Sequence, residues 1–320
     1  MKKLFMFLLG VIPFVSVADD KADIIKQAEE VFEATKIVCS GISDEIANVA
    51  NISKANTAVT TVGTVASGGA LYAGIKKSQT EERIEDLINE ICRNGGCTAE
   101  GVEAMSDEDF LTNVLEPMAE IAQLQMLQGE INESKKLGNW RTGLLAGTVG
   151  TNLVSAIMSG LNIDQSDLIQ HITACNDMVK TLSDMELNLK ASGVSPAEYP
   201  IVKSLSNAKT WCNQIQITDI DKIEKRMKGV FGTSIAGTAI GAVGVGTSAA
   251  ANSDKYMDLQ NKINLSEEEK KKEHALNTTA NVMAGANVAT GAVETGLNMS
   301  LITLTKKLIN QAQRCEEVLQ

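Results

Sequence analysis

The chain has 320 residues, a formal net charge of −11 and aromatic residues at only 3% of positions. This acidic balance disfavours nucleic acid and anionic membrane surfaces as partners. Proline is scarce, and Ala, Leu, Ile, Lys, Glu and Gln dominate the segments between the small-residue stretches described below, a composition that predicts an all-α fold.

The N-terminus has the pattern of an export signal. Two lysines precede an apolar run at residues 4–15, and a small-x-small cleavage pattern ends at Ala18. We therefore expect a signal peptide at residues 1–18 and a mature chain in the periplasm or outside the cell. The mature chain is expected to begin with a helix over residues 19–38.

Four stretches of the chain are rich in Gly, Ala, Ser and Thr and nearly free of charge: residues 55–75, 142–163, 229–253 and 275–305. Uncharged runs of this length predict either buried helices or membrane spans. Because Gly costs about 1 kcal/mol against Ala in a helix, such helices need close packing in return. The small residues expected to form helix-packing rows of the glycine-zipper kind are Gly143, Gly147, Thr151, Ser155, Thr233, Gly237, Gly241, Gly244, Gly285, Ala289, Ala292 and Gly296.

One charged residue helps to decide whether these stretches form a soluble core or membrane spans. Glu294 lies two positions from both Ala292 and Gly296, so it is predicted to point away from their row. A charge there suits a water-facing side and suits lipid badly. Together with the Thr and Ser content, this favours a soluble core, and contact with a membrane is possible but not favoured.

The sequence contains recognisable signals for helix starts and helix breaks. The segments Ser78–Glu81, Ser106–Asp109 and Ser266–Glu269 resemble capping boxes, which predict helix N-termini. The segment Gly193–Pro200 contains glycine and two prolines, and it predicts a joint between two halves of the chain.

Comparison of the chain with itself indicates a tandem duplication. Lys36-x-x-Cys39 matches Lys209-x-x-Cys212, and the stretch from Thr142 matches the stretch from Thr278 in the same order. The predicted repeats are residues 39–175 and residues 212–315, joined by helices over residues 176–211. The first repeat carries an insert at about residues 92–127.

Six cysteines in an exported chain predict disulfide bonds. The duplication favours one bond within each repeat, and the insert closes a small loop of its own. The favoured pairs are Cys39–Cys175, Cys212–Cys315 and Cys92–Cys97. The rival set joins Cys175 to Cys212 and Cys39 to Cys315. The cysteines and the two histidines show no metal-ligand spacing.

These observations predict an elongated antiparallel helical bundle of coiled-coil type, built from two duplicated, disulfide-stapled helical hairpins. The chain lacks GxSxG, Walker, HExxH and dinucleotide motifs, so we expect neither an enzyme nor a cofactor. The favoured function is an exported, non-enzymatic protein with a structural or protein-interaction role in the cell envelope or outside the cell. Its partner would be an unknown protein or a second copy of itself. The alternative is a membrane-active protein of the pore-forming type whose small-residue hairpins insert into a bilayer.

Overall fold

The computed structural model describes residues 21–95, 121–161, 163, 165–197, 199–258, 261–262 and 264–320. Every regular element in these ranges is a helix, which confirms the predicted all-α class. The helices are α1 Lys21–Cys39, α2 Ile42–Gly95, α3 Ile121–Gly160, α4 Ser166–Ala191, α5 Pro200–Cys212, α6 Ile217–Ala251, α7 Asp254–Met257 and α8 Glu267–Leu319. The predicted signal peptide, the cap at Ser106 and the bond between Cys92 and Cys97 lie outside the described residues and side chains.

Contacts divide the chain into two units. The disulfide unit comprises residues 21–49, Gln165–Lys222 and Leu304–Gln320, and the long-helix unit comprises the described parts of Ala50–Asp164 and Ile223–Thr303. This division cuts across the two predicted repeats, because each repeat contributes residues to both units. The tandem duplication itself stays a prediction.

The disulfide unit has a core of large apolar side chains, as the hydrophobic effect predicts for a protein in water. In this unit α1 and α5 pack against α4. Fully buried members of this core include Ile42, Ile46, Ile172, Leu182, Leu205 and Leu308. The tight turn between α1 and α2 is made by Gly41, whose φ of 82° favours a residue without a side chain.

Polar side chains connect the helix ends of the disulfide unit. The backbone N–H and the hydroxyl of Ser43, in the first turn of α2, both donate to the Glu316 carboxylate, at 3.0 and 2.6 Å. A carboxylate at this position satisfies a free N–H and complements the helix dipole. His171 contacts the carbonyl oxygen of Val38 at 2.8 Å and Glu45 at 3.1 Å, so it links α4 to α1 and α2.

The interior of the long-helix unit is built differently, because its buried rows consist of small and polar residues. In each row the spacing alternates between three and four, the seven-residue repeat that keeps one face of a helix against its neighbours. The rows are Ser53, Asn56, Thr60, Gly63, Ser67, Ala70, Gly74 and Lys77 in α2; Arg141, Leu145, Thr148, Asn152, Ser155 and Ser159 in α3; Ser234, Gly237, Gly241, Gly244, Ser248 and Ala251 in α6; Asn277, Ala280, Ala284, Asn287, Gly291, Glu294 and Asn298 in α8.

Hydrogen bonds between these rows give the direction of each helix. Going up α2, the Asn56 amide donates to the Ser159 hydroxyl at 2.8 Å, and further on Ser67 pairs with Thr148 at 3.0 Å. The partners therefore descend in number along α3, which means that α2 and α3 run in opposite directions. The same reasoning applies to α6 and α8, where Ser234 bonds Glu294 at 2.6 Å and Gly244 lies against Met283.

One predicted helix start is present and one is not. Ser266 and Glu269 form a reciprocal capping box at the start of α8, with the Glu269 carboxylate accepting from the Ser266 N–H at 3.1 Å. Ser78, by contrast, lies inside α2, so the prediction of a helix start there was wrong. The predicted joint at Gly193–Pro200 separates α4 from α5.

Candidate functional site

The disulfide unit contains two disulfide bonds, Cys39–Cys175 between α1 and α4 and Cys212–Cys315 between α5 and α8, and all four cysteines are buried. These are the two pairs that the duplication favours. The sulfur atoms of Cys39, Cys175 and Cys315 lie within 4.8 Å of one another. Because each sulfur is already bonded to another, this cluster offers no thiolate to a metal ion.

The predicted packing residues of α6 line its buried face. Gly237, Gly241 and Gly244 are buried. A methyl group added at Gly241 would come within 2.7 Å of a Val149 methyl carbon in α3, so the two helices approach closely there. Thr233 is only partly buried, and the neighbouring Ser234 takes the interior position instead.

The predicted rows in α3 and α8 are only partly interior. Ser155 is fully buried and Thr151 lies against Gly63, but Gly143 and Gly147 are exposed. In α8, Ala289, Ala292 and Gly296 are exposed, and Gly285 is half-buried with open space beside it. The physical reason is geometric. In α3 the predicted row has a spacing of four throughout, and residues four apart precess by about 40° per step, so that row leaves the contact face. In α8 the predicted row has the alternating spacing of four, three and four, but it lies on a different face of the helix from the buried row.

Glu294 reverses the expectation drawn from its position. It does lie opposite Ala292 and Gly296, but it faces the interior and is only 1% exposed. Its carboxylate accepts hydrogen bonds from the hydroxyls of Ser155 in α3 and Ser234 in α6. The prediction that Glu294 points to water was therefore wrong, and the exposed face of α8 is the uncharged one.

A second buried charge is satisfied by neutral groups. The Arg141 guanidinium donates to the Ser248 hydroxyl at 2.8 Å and to the amide oxygens of Asn277 and Asn281 at 2.8 and 3.2 Å. The Asn277 amide in turn donates to Glu81 at 2.6 Å. Such a network needs every member in place, because an unpaired polar group in a dry interior costs several kcal/mol.

Large apolar side chains lie on the outside of the long-helix unit. The exposed members are Val62, Val65, Tyr72, Ile75, Trp140, Leu153, Val154, Ile157, Leu161, Ile235, Val243, Val282, Val293 and Met299. The outer faces of residues 55–75, 142–161, 229–251 and 275–303 carry no charge at all. We call this outer surface the apolar belt. Polar residues inside and apolar residues outside are the reverse of the arrangement in the disulfide unit.

The belt covers the same height on all four helices. Asn56 meets Ser159 and Gly229 meets Leu297 at its first level. At its second level Arg141 meets Ser248, Asn281 and Gly74. Between the two levels each helix advances by about 16 to 19 residues, which is roughly 24–28 Å at 1.5 Å per residue.

Lysines mark both edges of the belt, and exposed aromatic residues mark the second. Lys54 and Lys228 lie just beyond the first level, and Lys76 and Lys136 lie just beyond the second. Tyr72 and Trp140 lie on the exposed surface near the second level, 63% and 66% exposed. The Lys76 ammonium lies 6.0 Å from the centre of the Tyr72 ring. Aromatic rings and lysines at such edges are typical of membrane–water boundaries.

Among the described residues, three helical segments are long and apolar enough to cross a membrane by length and composition: Lys21–Glu90, Gln125–Gly160 and Pro200–Ala251. Only 28–33% of the residues in their apolar windows are buried in the protein, and the others are partly or fully exposed.

The described residues contain no arrangement typical of catalysis. A cleft of about 330 Å³ is lined by side chains that include Ser78, Glu82, Lys262, Glu273 and His274. Burial raises the pKa of Glu273, and the adjacent Lys262 opposes that shift. His274 is exposed, and His171 is held between Val38 and Glu45, so neither is placed beside a nucleophile.

The class that the described residues define is an all-helical protein with two disulfide bonds. The disulfides point to an oxidising environment such as that of exported proteins. Comparisons with protein-family models, with curated proteins and with solved structures find no match to this chain.

Proposed function

We propose that this chain is an exported, non-enzymatic helical protein of the cell envelope whose long-helix unit enters a lipid bilayer as an antiparallel four-helix bundle. The observation that carries the proposal is the apolar belt around a polar interior. The membrane-active function, which the sequence leaves as the alternative, therefore becomes the favoured one. The two objections to it were Glu294 and the Thr and Ser content. Glu294 lies inside, and outward-facing Thr hydroxyls such as those of Thr61 and Thr247 donate to carbonyl oxygens of their own helices.

The energetic argument rests on where each kind of surface is stable. In water, exposed Val, Leu and Ile side chains forgo about 25 cal/mol for each Å² of apolar surface left unburied. In lipid the apolar surface is stable where it is, while the polar groups need hydrogen-bond partners inside the protein. The interior rows supply many such partners, for example between Ser67 and Thr148, while Asn298 and the Oδ1 atom of Asn56 are exceptions. The helical backbone satisfies its own N–H and C=O groups, as a lipid-embedded chain requires.

The dimensions support the same proposal. The belt height of roughly 24–28 Å is close to the ~30 Å hydrocarbon core of a bilayer. The lysines at both edges have side chains long enough to reach the headgroups. Tyr72 and Trp140 are placed where amphipathic rings are stable.

The remaining elements of the proposal come from the sequence. The export signal and the disulfide bonds favour the periplasm or the outside of the cell. The absence of a catalytic motif in the sequence favours a non-enzymatic role without a cofactor. The two disulfide-stapled hairpins of a tandem duplication remain part of the proposal, as does association with a second copy or another protein. The exposed rows with Gly143, Gly147 and Ala289 suit close helix contacts in lipid.

The two tryptophans provide a direct test, because each unit contains one. The Trp211→Phe variant reports only on Trp140 at the edge of the belt, and the Trp140→Phe variant reports only on Trp211, which stacks against Arg314. Oxidised full-length protein is mixed with phosphatidylcholine vesicles that contain lipids brominated near the headgroup. We expect a blue shift and quenching for Trp140 and neither for Trp211.

A pair of charge insertions provides the matched control. Val65 is 71% exposed midway between the two levels of the belt on α2, and Ile37 is 73% exposed on α1 in the disulfide unit. The Val65→Lys substitution should sharply reduce co-flotation with vesicles, because a lysine at the centre of the hydrocarbon core costs about 2.5–3.5 kcal/mol. The Ile37→Lys substitution should leave flotation unchanged. If the wild-type protein does not float with vesicles, the bilayer proposal is rejected. The soluble interaction role is then favoured, with a protein partner covering the belt.

A further inference from the structure

The buried carboxylate of Glu294 is the charged group for which bilayer entry has the largest consequence. It lies within the height of the belt, one helical turn from the first level, and only 1% of it is exposed. Its hydrogen bonds come from two neutral hydroxyls, those of Ser155 and Ser234, whose oxygens lie 3.1 Å apart. It forms no ion pair among the described residues.

The helices around Glu294 present no opposite charge to it. The described residues that occupy the buried rows near its level are Asn56, Thr60 and Gly63 in α2; Asn152, Ser155 and Ser159 in α3; Val230, Ser234 and Gly237 in α6; Gly291, Thr295 and Asn298 in α8. None of them titrates. A cation contacts α8 further along the helix. The Arg226 guanidinium donates to the carbonyl oxygen of Ser300, about 9 Å beyond Glu294.

A hydrogen-bond acceptor for the protonated form of the Glu294 carboxyl group lies one helical turn away, at Asn298. Asn298 follows Glu294 by four residues in the same buried row, where side chains on one helix are neighbours. Both amide atoms of Asn298 are buried and have no partner. Helical side chains lean towards the N-terminus, so the Asn298 side chain leans towards Glu294. A protonated carboxyl group could donate to its Oδ1 atom and satisfy it.

Removing the surrounding water changes which form of Glu294 is tolerated. An ionised carboxylate without a cation is costly in an apolar medium, and buried groups of this kind become neutral instead. In water the outer surface of the unit is in contact with a high dielectric, whereas in a bilayer it is surrounded by hydrocarbon. The same carboxylate is therefore less tolerable after entry than before it.

We propose that Glu294 is a proton-binding site, held by Ser155 and Ser234 with the unpartnered amide of Asn298 one turn away, and that the long-helix unit enters bilayers with this carboxyl group protonated. The inference rests on the proposed function. It adds that mild acidity promotes entry, because one proton is taken up by one carboxylate in the step. No other reactant is needed.

The test compares three forms of the full-length, oxidised protein in flotation with phosphatidylcholine vesicles at neutral and at mildly acidic pH. The wild-type protein should bind more at acidic pH. Glu294→Gln, which mimics the neutral carboxyl group, should bind equally at both and as well as the acidified wild type. Glu85→Gln removes an exposed carboxylate from α2 beyond the belt, and it should behave as the wild type.

The outcomes separate the two proposals. If none of the proteins floats at any pH, the proposed function fails. If all three float equally at both pH values, the bilayer proposal stands and the role of Glu294 is overturned. Infrared spectra of the vesicle-bound wild-type protein give a second measurement, which does not depend on whether Glu294→Gln folds. A protonated carboxylic C=O band should be present in the wild-type protein, and its absence would overturn the inference.

Discussion

At the scale of single residues, size and polarity have separate roles in the long-helix unit. Both faces of α6 are rich in small residues, yet only one face is buried. A methyl group would clash at Gly237 and Gly241 and would be in tight contact at Gly244, whereas Gly232 and Gly246 have open space beside them. Small size therefore does not identify the contact face, and neither does the alternating three–four spacing, because the row of Gly285, Ala289, Ala292 and Gly296 follows that spacing and is not buried.

The first prediction compares two glycines on the same helix. A methyl group at Gly241 would meet Val149 at 2.7 Å, while nothing lies within 4 Å at Gly246. Gly241→Ala should destabilise the protein by about 1–3 kcal/mol through overpacking, offset by up to ~1 kcal/mol of helix propensity. Gly246→Ala should gain that propensity without the clash. Thermal unfolding followed by far-UV circular dichroism measures both, and equal shifts in the two variants would contradict the packing described for α6.

The second prediction concerns pH and the disulfide unit. The buried carboxylate of Glu186 pairs with Lys190 at 2.6 Å and with Lys209 at 3.4 Å, and these ammonium groups lower its pKa. A lowered pKa contributes stability above the unfolded-state pKa of about 4.3, which is lost as the pH falls through the folded-state value. Glu186→Gln should therefore cost about 1 kcal/mol at neutral pH, with the difference from wild type shrinking below about pH 4.

The control for this prediction lies on the same helix. Asp177 pairs with Lys180 in α4, but both side chains are well exposed. Asp177→Asn should leave the urea midpoint nearly unchanged at every pH, because exposed pairs contribute little. A difference between Glu186→Gln and wild type that grows on acidification would show that the carboxylate is not stabilised by its lysines.

At the scale of helices, the sequence predicts existence and class better than boundaries. The long helices, the break at Gly193–Pro200 and the cap at Ser266 were all foreseeable from propensity and capping chemistry. No helix starts at Ser78. The buried row of α2 continues through Lys77 to Ile84, so packing overrides the local capping signal.

The face on which Glu294 lies was the largest error, and its cause is instructive. Two rows of small residues run along α8, one with Ala289 and Ala292 and one with Gly291 and Asn298. The spacing correctly placed Glu294 opposite the first row. The error came from the expectation that a charged side chain faces water. The repeated Asn residues at the three–four spacing were the available signal for a polar interior.

The third prediction compares the two serines that the sequence treats alike. Ser266→Ala removes a hydroxyl that accepts the Glu269 N–H at 3.4 Å, and it should cost about 1 kcal/mol. Ser78→Ala removes no helix cap, since Ser78 lies inside α2. Hydrogen exchange of the first-turn amides of α8 should accelerate only in Ser266→Ala. Equal acceleration in both variants would contradict the capping box.

At the scale of the whole molecule, the two units follow opposite rules of composition. The disulfide unit buries Ile and Leu side chains. Within the belt the long-helix unit buries mainly Ser, Asn and Gly while exposing Val and Ile, and beyond the belt it buries large apolar side chains such as Ile84 and Leu127. Composition averaged over the chain conceals this contrast. That is why the sequence predicted one kind of interior for the entire protein and left the membrane as the less favoured phase.

The fourth prediction concerns the covalent links. Digestion of the oxidised protein without reductant should release peptides joining Cys39 to Cys175 and Cys212 to Cys315. Replacing both members of the second pair by serine should lower the free energy of unfolding by up to ~4–5 kcal/mol, the value expected for a loop of about 100 residues. A peptide joining Cys39 to Cys315 would contradict the bonding described for the disulfide unit.

The order of these bonds along the chain has a consequence for biogenesis. The loop closed by Cys39 and Cys175 ends before the loop closed by Cys212 and Cys315 begins. During vectorial translocation, the first ring can be oxidised while the second is still being synthesised. Neither ring has to reopen for the other to form. For a chain exported as proposed, native pairing of these four cysteines therefore requires an oxidase, but it does not require reshuffling between the two rings.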